Sequence, residues 1–241
     1  MPSSMDYRRI ERAMARGAQT GAAVDELFEA AASALTEIAS GRRELRAVRH
    51  PLGFLCLPVR REGEHGICIH VFDDATRQTA QLLTTSPVHA HSWDLTSCVL
   101  YGEVGNLRVR VRERPEHPTH RLFEVRSTAA AMGADPAAGA LAVDWIRPTP
   151  HLVSCEPGPR ETSVAGGIYT LAAGQFHTTV VPPGTAAATL LLGRAMPGRF
   201  DLTLGPVHGR PHRVVRQTCD AARTARAART VLRRVDGCHS R

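Results

Sequence analysis

The chain has 241 residues, 43% of them hydrophobic and 22% charged, with a formal net charge of +7. That balance belongs to a folded globular protein with room for one well-buried core and extra segments at its ends, and it excludes disordered and fibrous classes. All 30 basic residues are arginine. With the alanine runs Ala129–Ala131 and Ala186–Ala188 this reads as the stamp of a GC-rich coding sequence, so a pI near 9.7 says little about partners and no nucleic-acid partner is expected.

From Met5 to about Gly41 the pattern is helical. Leu27, Phe28, Ala31, Leu35 and Ile38 fall at spacings of three and four along one stripe, with Asp25 as candidate N-cap and Gly41 as terminator. The stripe predicts a helix packed on the outside of whatever follows.

After His50-Pro51 the period changes. Short β-rich runs occur at Leu52–Val59, Gly66–Phe72, Leu95–Tyr101, Leu107–Arg112, Leu122–Val125, Gly167–Leu171, His177–Val181, Ala188–Leu192 and Phe200–Leu204, separated by Gly, Pro and Asp. Many short strands with such turns predict a two-sheet or closed antiparallel structure, and a jelly-roll barrel hides most of its sheet edges. Between Arg126 and Gly166 an Ala-, Gly- and Pro-rich stretch reads as a long insertion holding one strand, Leu141–Ile146. At the C-terminus, from about Gln217 to Val235, Arg223, Arg226, Arg229 and Arg233 align on one helix face, which reads as a solvated stripe rather than a nucleic-acid contact. The expected organisation is a helical segment at 1–49, a barrel at 50–210 and an arginine-rich helix or tail at 211–241.

Six cysteines (Cys56, Cys68, Cys98, Cys155, Cys219 and Cys238) are scattered without close pairs, and the N-terminus lacks the apolar core of a signal peptide. No apolar run approaches the roughly 20 residues a membrane-spanning helix needs. A cytoplasmic location with reduced thiols and no membrane contact is expected.

The chemistry-bearing segment runs from Pro87 to Gly102 and contains His89-Ala-His91-Ser-Trp93-Asp94. On a strand, His89 and His91 point to the same face, about 7 Å apart along the backbone and close enough to share an ion. A second segment, Ala172-Ala-Gly174-Gln-Phe-His177, places a turn-forming glycine just before a strand that begins with His177. A third imidazole from a neighbouring strand would complete a facial set of nitrogen ligands and leave coordination positions open.

These two segments resemble the signature motifs of the cupin superfamily, G-x5-H-x-H-x3,4-E-x6-G and G-x5-P-x-G-x2-H-x3-N. His89, His91 and Gly102 match the first and Gly174 and His177 the second, with Ala172 in place of the proline; the likeness spans Leu82 to Leu192. It implies a double-stranded β-helix barrel, mainly β, with N-terminal helices and a C-terminal helix. Leu95 stands where many cupins carry a glutamate ligand, so the resemblance implies a three-histidine site of His89, His91 and His177, similar to thiol dioxygenases of the cysteine dioxygenase type. Leu95 also stands where some of those enzymes have a crosslinking cysteine, so their substrate is not implied. The metal suggested is Fe2+, with Zn2+, Mn2+ and Ni2+ as alternatives, and the family leaves room for a homodimer.

Asp94 is an alternative fourth ligand, but by strand parity it points away from the histidine pair, which favours a hydrogen-bonding role. Trp93 is placed to orient an imidazole. Arg108 and Arg110, alternating with valines, are candidates to bind an acidic substrate, although alternation also fits arginines facing solvent. Arg60 and Tyr169 are further pocket candidates. His70 and His151 lack motif support and are expected to be structural or exposed, and Cys98 to be a small buried hydrophobe. The reading that follows is an iron(II)-dependent dioxygenase or other oxygenase, an oxidoreductase acting on a small molecule with dioxygen. Its rivals are a redox-neutral metal-dependent isomerase or lyase, and a non-catalytic ligand-binding regulatory cupin. No side chain is assigned a catalytic role.

Overall fold

Period-two alternation of apolar side chains between Val48 and Arg216 becomes two antiparallel sheets in the computed structural model, which describes residues 5–78, 83–127 and 142–239. In chain order the strands are β1 (Val48–His50), β2 (Phe54–Glu62), β3 (His65–Phe72), β4 (His89–Ala90), β5 (Trp93–Tyr101), β6 (Glu103–Glu113) and β7 (His120–Ser127). They continue with β8 (Ala142–Val164), β9 (Ile168–Leu171), β10 (His177–Val180), β11 (Ala187–Ala195), β12 (Asp201–Gly205) and β13 (His212–Arg216). The helices are α1 (Tyr7–Thr20), α2 (Val24–Ala39), α3 (Asp74–Gln78) and α4 (Ala221–His239). The protein is thus mainly β, compatible with a β-sandwich or jelly roll, and among the described residues no helix is long and apolar enough to cross a membrane.

The first sheet has the order β1-β2-β3-β11-β5-β9, and its two faces differ in chemistry. Leu55, Leu57, Ile67, Ile69, Cys98, Leu100, Leu190 and Leu192 point outward into the largest apolar cluster, where they meet Leu27, Phe28, Ala31, Leu35 and Ile38 of α2 and Ala228 and Val231 of α4. Burying this layer stabilises the fold by about 25 cal/mol per Å2 of apolar area removed from water. The predicted α2 stripe is therefore buried, and Cys98 of β5 joins the same cluster with no exposed surface.

The N-terminal helical run is two helices. Asp6 caps α1 by accepting from Arg9 N–H at 3.0 Å, and Gly21 ends it in the left-handed conformation at φ 70°. Ala23, also left-handed at φ 66°, precedes α2, so Asp25 lies inside the first turn of α2 rather than at its cap. Ion pairs from Arg9 and Arg16 to Glu26 tie the two helices together.

The second sheet has the order β13-β8-β6-β10-β4-β12-β7, with β7 also pairing with β8. The expected insertion is largely a strand: of residues 126–166, 142–164 form the 23-residue β8, while 128–141, including Leu141, lie outside the described residues. β7 pairs with its first half and β6 with its second. Prolines disguised it. Pro150 and Pro159 fall where the pairing register slips, with Pro148 and Pro157 beside them, and from Arg147 onward β8 is paired on one side only except at Val153. Proline is tolerated at bulges and along an unpaired edge because no ladder hydrogen bond is lost there. β13, within the segment read as a tail from 211, pairs with β8 and is pinned by Arg216 Nε donating to the buried carboxylate of Asp144 at 2.6 Å.

Candidate metal centre

Across the second sheet, Arg108 (β6), His177 (β10), His89 (β4), Thr203 (β12) and Phe123 (β7) are direct cross-strand partners in one continuous row. Directly opposed residues share a face. Their face is the sandwich interior, because Phe123 is fully buried and His177 is 1% exposed. His91 follows β4 in the short link to β5, and the link is held on both sides. Gly174 N–H donates to the His91 carbonyl at 2.8 Å, and Ser92 N–H donates to Asp201 Oδ1 at 2.6 Å. Gly174 has φ 82°, a backbone conformation open to glycine, and the Arg199 guanidinium occupies the space a Cβ would fill.

The three imidazoles converge. Ring centroids lie 4.4 Å apart for His89 and His177, 4.8 Å for His89 and His91, and 5.2 Å for His91 and His177. One ligand nitrogen from each lies within 4.8 Å of the others, so this buried group can hold a metal ion. Two rings are oriented by backbone: the Nδ1–H of His89 donates to the Pro87 carbonyl at 2.9 Å, and that of His177 to the Gln175 carbonyl at 3.2 Å. This leaves each Nε2 lone pair for the shared centre, the arrangement that fixes the tautomer of metal-binding histidines. Burial lowers the pKa of all three, that of His91 well below the usual range and that of His177 to about 3, with neighbouring imidazoles adding to the shift at His91 and His177. The rings are neutral at physiological pH, as ligation requires.

The other predicted residues divide. Trp93 tilts against His91 with ring centroids 4.4 Å apart. Asp94 accepts from Ala173 N–H at 2.9 Å and lies 3.7 Å from Arg194, so it ties the β9–β10 turn to β5. Arg108, opposite His177, reaches Glu161 at 2.9 Å through one terminal nitrogen while its buried Nε has no hydrogen-bond partner among the described residues. Tyr169 faces Ser97 and Asn106 in the interior; burial raises its phenol, and hydrogen bonding from those two side chains offsets part of the shift. Leu95, in place of a carboxylate, packs with Cys68, Leu171 and Leu191.

Arg110 and Arg60 lie elsewhere. Arg110 is exposed, 3.8 Å from Glu156. Arg60 donates to the Met5 carbonyl and to Glu62 beside Tyr7 and His65. His151 is exposed and bonded to Glu113.

Sequence reasoning passed over a second group on the first sheet's inner face. Cys56, Cys68 and His70 bring one ligand atom each to within 4.8 Å of one another. The signal lay in parity and one turn. Cys68 and His70 are two apart on β3, and the turn between Glu62 and His65 sets Cys56 opposite His70. His50 is half-buried there, stacked on Phe54 with ring centroids 4.3 Å apart, and its pKa falls well below the usual range through desolvation and the nearby charges of Arg216 and His70.

No known family profile matches the chain, and no characterised protein matches it either. The reading of this protein therefore rests on its own residues: a mainly β chain of two antiparallel sheets with a buried three-histidine group.

Proposed function

We propose that the protein is a cupin-type metal-dependent enzyme, an iron(II) oxygenase that acts on a small molecule at His89, His91 and His177. The observation that carries this reading is the convergence of three neutral imidazoles, two of them with Nδ1 committed to backbone carbonyls. A sheet has no structural need for three converging, unprotonated rings, one buried and two half-buried, whereas a metal gives their ligand nitrogens a partner. Iron(II) held by three imidazoles supplies a redox centre with coordination positions left for small reactants.

The chain's own groups bind, orient and exclude water around that centre. Leu95, Leu171 and Leu191 form an apolar wall. Trp93 packs on His91 and limits its rotation. Arg108 offers an unsatisfied Nε on the His177 side, suited to an acidic group of the substrate. The Tyr169 phenol, raised by burial, keeps its proton at neutral pH and can donate a hydrogen bond into the interior.

The test is metal analysis of the purified protein together with oxygen uptake across a panel of small carboxylic acids and thiols. Near-stoichiometric iron, lost in both His89→Ala and His177→Ala, with oxygen consumption lost in parallel, is the expected result. Zinc, manganese or nickel in its place, with turnover in the absence of oxygen, replaces this reading by a redox-neutral isomerase or lyase on the same three nitrogens. Failure to bind any of these metals removes the enzyme reading and leaves a ligand-binding regulatory protein.

A further inference from the structure

The inner face of the first sheet carries its own ligand set. Cys56 on β2 and His70 on β3 are direct cross-strand partners, and Cys68 precedes His70 by two residues on the same face. Both thiols are free, and the three ligand atoms lie within 4.8 Å of one another. Tetrahedral zinc bound by sulfur and nitrogen keeps its ligand atoms roughly 3.5–3.8 Å apart, so closing on an ion shortens any separation by about 1.3 Å at most.

The surroundings favour such an ion. His70 is held between aromatic rings, its centroid 4.6 Å from that of Phe54 and 6.3 Å from that of Phe72, which restricts its orientation. Cys68 is 4% exposed and packs with Leu95, Leu171 and Leu191, an environment that keeps water from competing for the metal. Hydrogen bonding between the two thiols lowers Cys68 well below the usual thiol range, with His70 and Arg61 adding to the effect, and raises Cys56. The opposing histidine group is close enough for His91 to sense the charge of His70.

We propose that Cys56, Cys68 and His70 form a second metal site, selective for a thiophilic closed-shell cation, zinc(II) or copper(I), and separate from the three-histidine centre. Two sulfurs and one nitrogen are a soft donor set, whereas three imidazoles accept harder ions such as iron(II). Cys56 and Cys68 bind as thiolates and release their protons to solvent as the metal enters; no electron moves. The site rests on the β2–β3 hairpin and does not depend on the identity of the metal at the other group.

The test uses the full-length, reduced, metal-free protein titrated with cobalt(II) and then zinc(II). Thiolate-to-cobalt charge-transfer absorption should grow to one equivalent, disappear on adding zinc, and persist in His177→Ala. Cys68→Ser should abolish the band, and His70→Ala should weaken cobalt binding at least tenfold. Total zinc by mass spectrometry should fall from two equivalents to one in His177→Ala. No thiolate band in the wild type overturns the proposal without reference to any variant, whether thiol titration then shows Cys56 and Cys68 free or joined as a disulfide. A band that survives in Cys68→Ser overturns it as well.

Discussion

The two faces of the first sheet are made by alternate residues of the same strands, yet they are built to different ends. Outward, Leu57, Ile69 and Leu190 bury against helices with no polar atom among their side chains. Inward, the same strands present Cys56, Cys68, His70, Ser97, Thr189 and Tyr169 to a second sheet that brings Asn106, Arg108, His89 and His177. The helix side holds the fold together. The inner side carries polar groups that cost stability when dry, so packing energy is given up there.

Acid should break this contrast most severely. His50, His89, His91 and His177 are all lowered by burial, His177 to about 3 from an ordinary value of 6.5. In the metal-free protein the unfolded state takes up protons below about 6.5 while the folded state does not, so stability is level above that pH and falls as pH drops toward the folded values. Each such histidine contributes at most roughly 1.4 kcal/mol per pH unit in that window. Denaturant unfolding at pH 6.5, 5.5 and 4.5 checks this, and an unchanged midpoint would refute it.

Leu190→Ala and Thr189→Val, neighbours on β11 facing opposite ways, sharpen the comparison at one place. Truncating fully buried Leu190 should cost about 3 kcal/mol with metal content per folded chain unchanged. The Thr189 hydroxyl is fully buried beside the Tyr169 phenol with at best a weak hydrogen bond to it, so the isosteric valine should change stability by no more than about 1 kcal/mol. Thermal melts of both variants show whether the outward face carries the larger share of stability. The smallest effect is expected outside both faces: Arg110→Ala should shift stability by no more than about 0.5 kcal/mol and leave metal binding intact.

Much of this was legible in the sequence because period two and motif spacing are local. The α2 stripe, most strands and the approach of His89 to His91 follow from neighbours along the chain. His177 was legible through its resemblance to a known motif, and pairing opposite His89 puts it there physically. What stayed hidden is non-local or masked. Cys56 meets Cys68 and His70 through hairpin register, β8 reads as a broken insertion because its prolines sit where a ladder can spare them, and Arg60 faces away from the centre because the register slips between Pro58 and Arg60.

The same prolines have a consequence for life at high concentration. β8 is bare on the β13–β6 side from 147 to 151 and on the β7 side from 154 to 164, and each bare stretch is a template on which another chain could add a strand, the first step toward aggregation. Pro148 and Pro150 fall in the first of these stretches and Pro157 and Pro159 in the second, residues that have no N–H to offer, and the two slips in register keep the strand from lying flat. Replacing them with β-branched residues would make the strand easier to read in sequence and the protein harder to keep in solution.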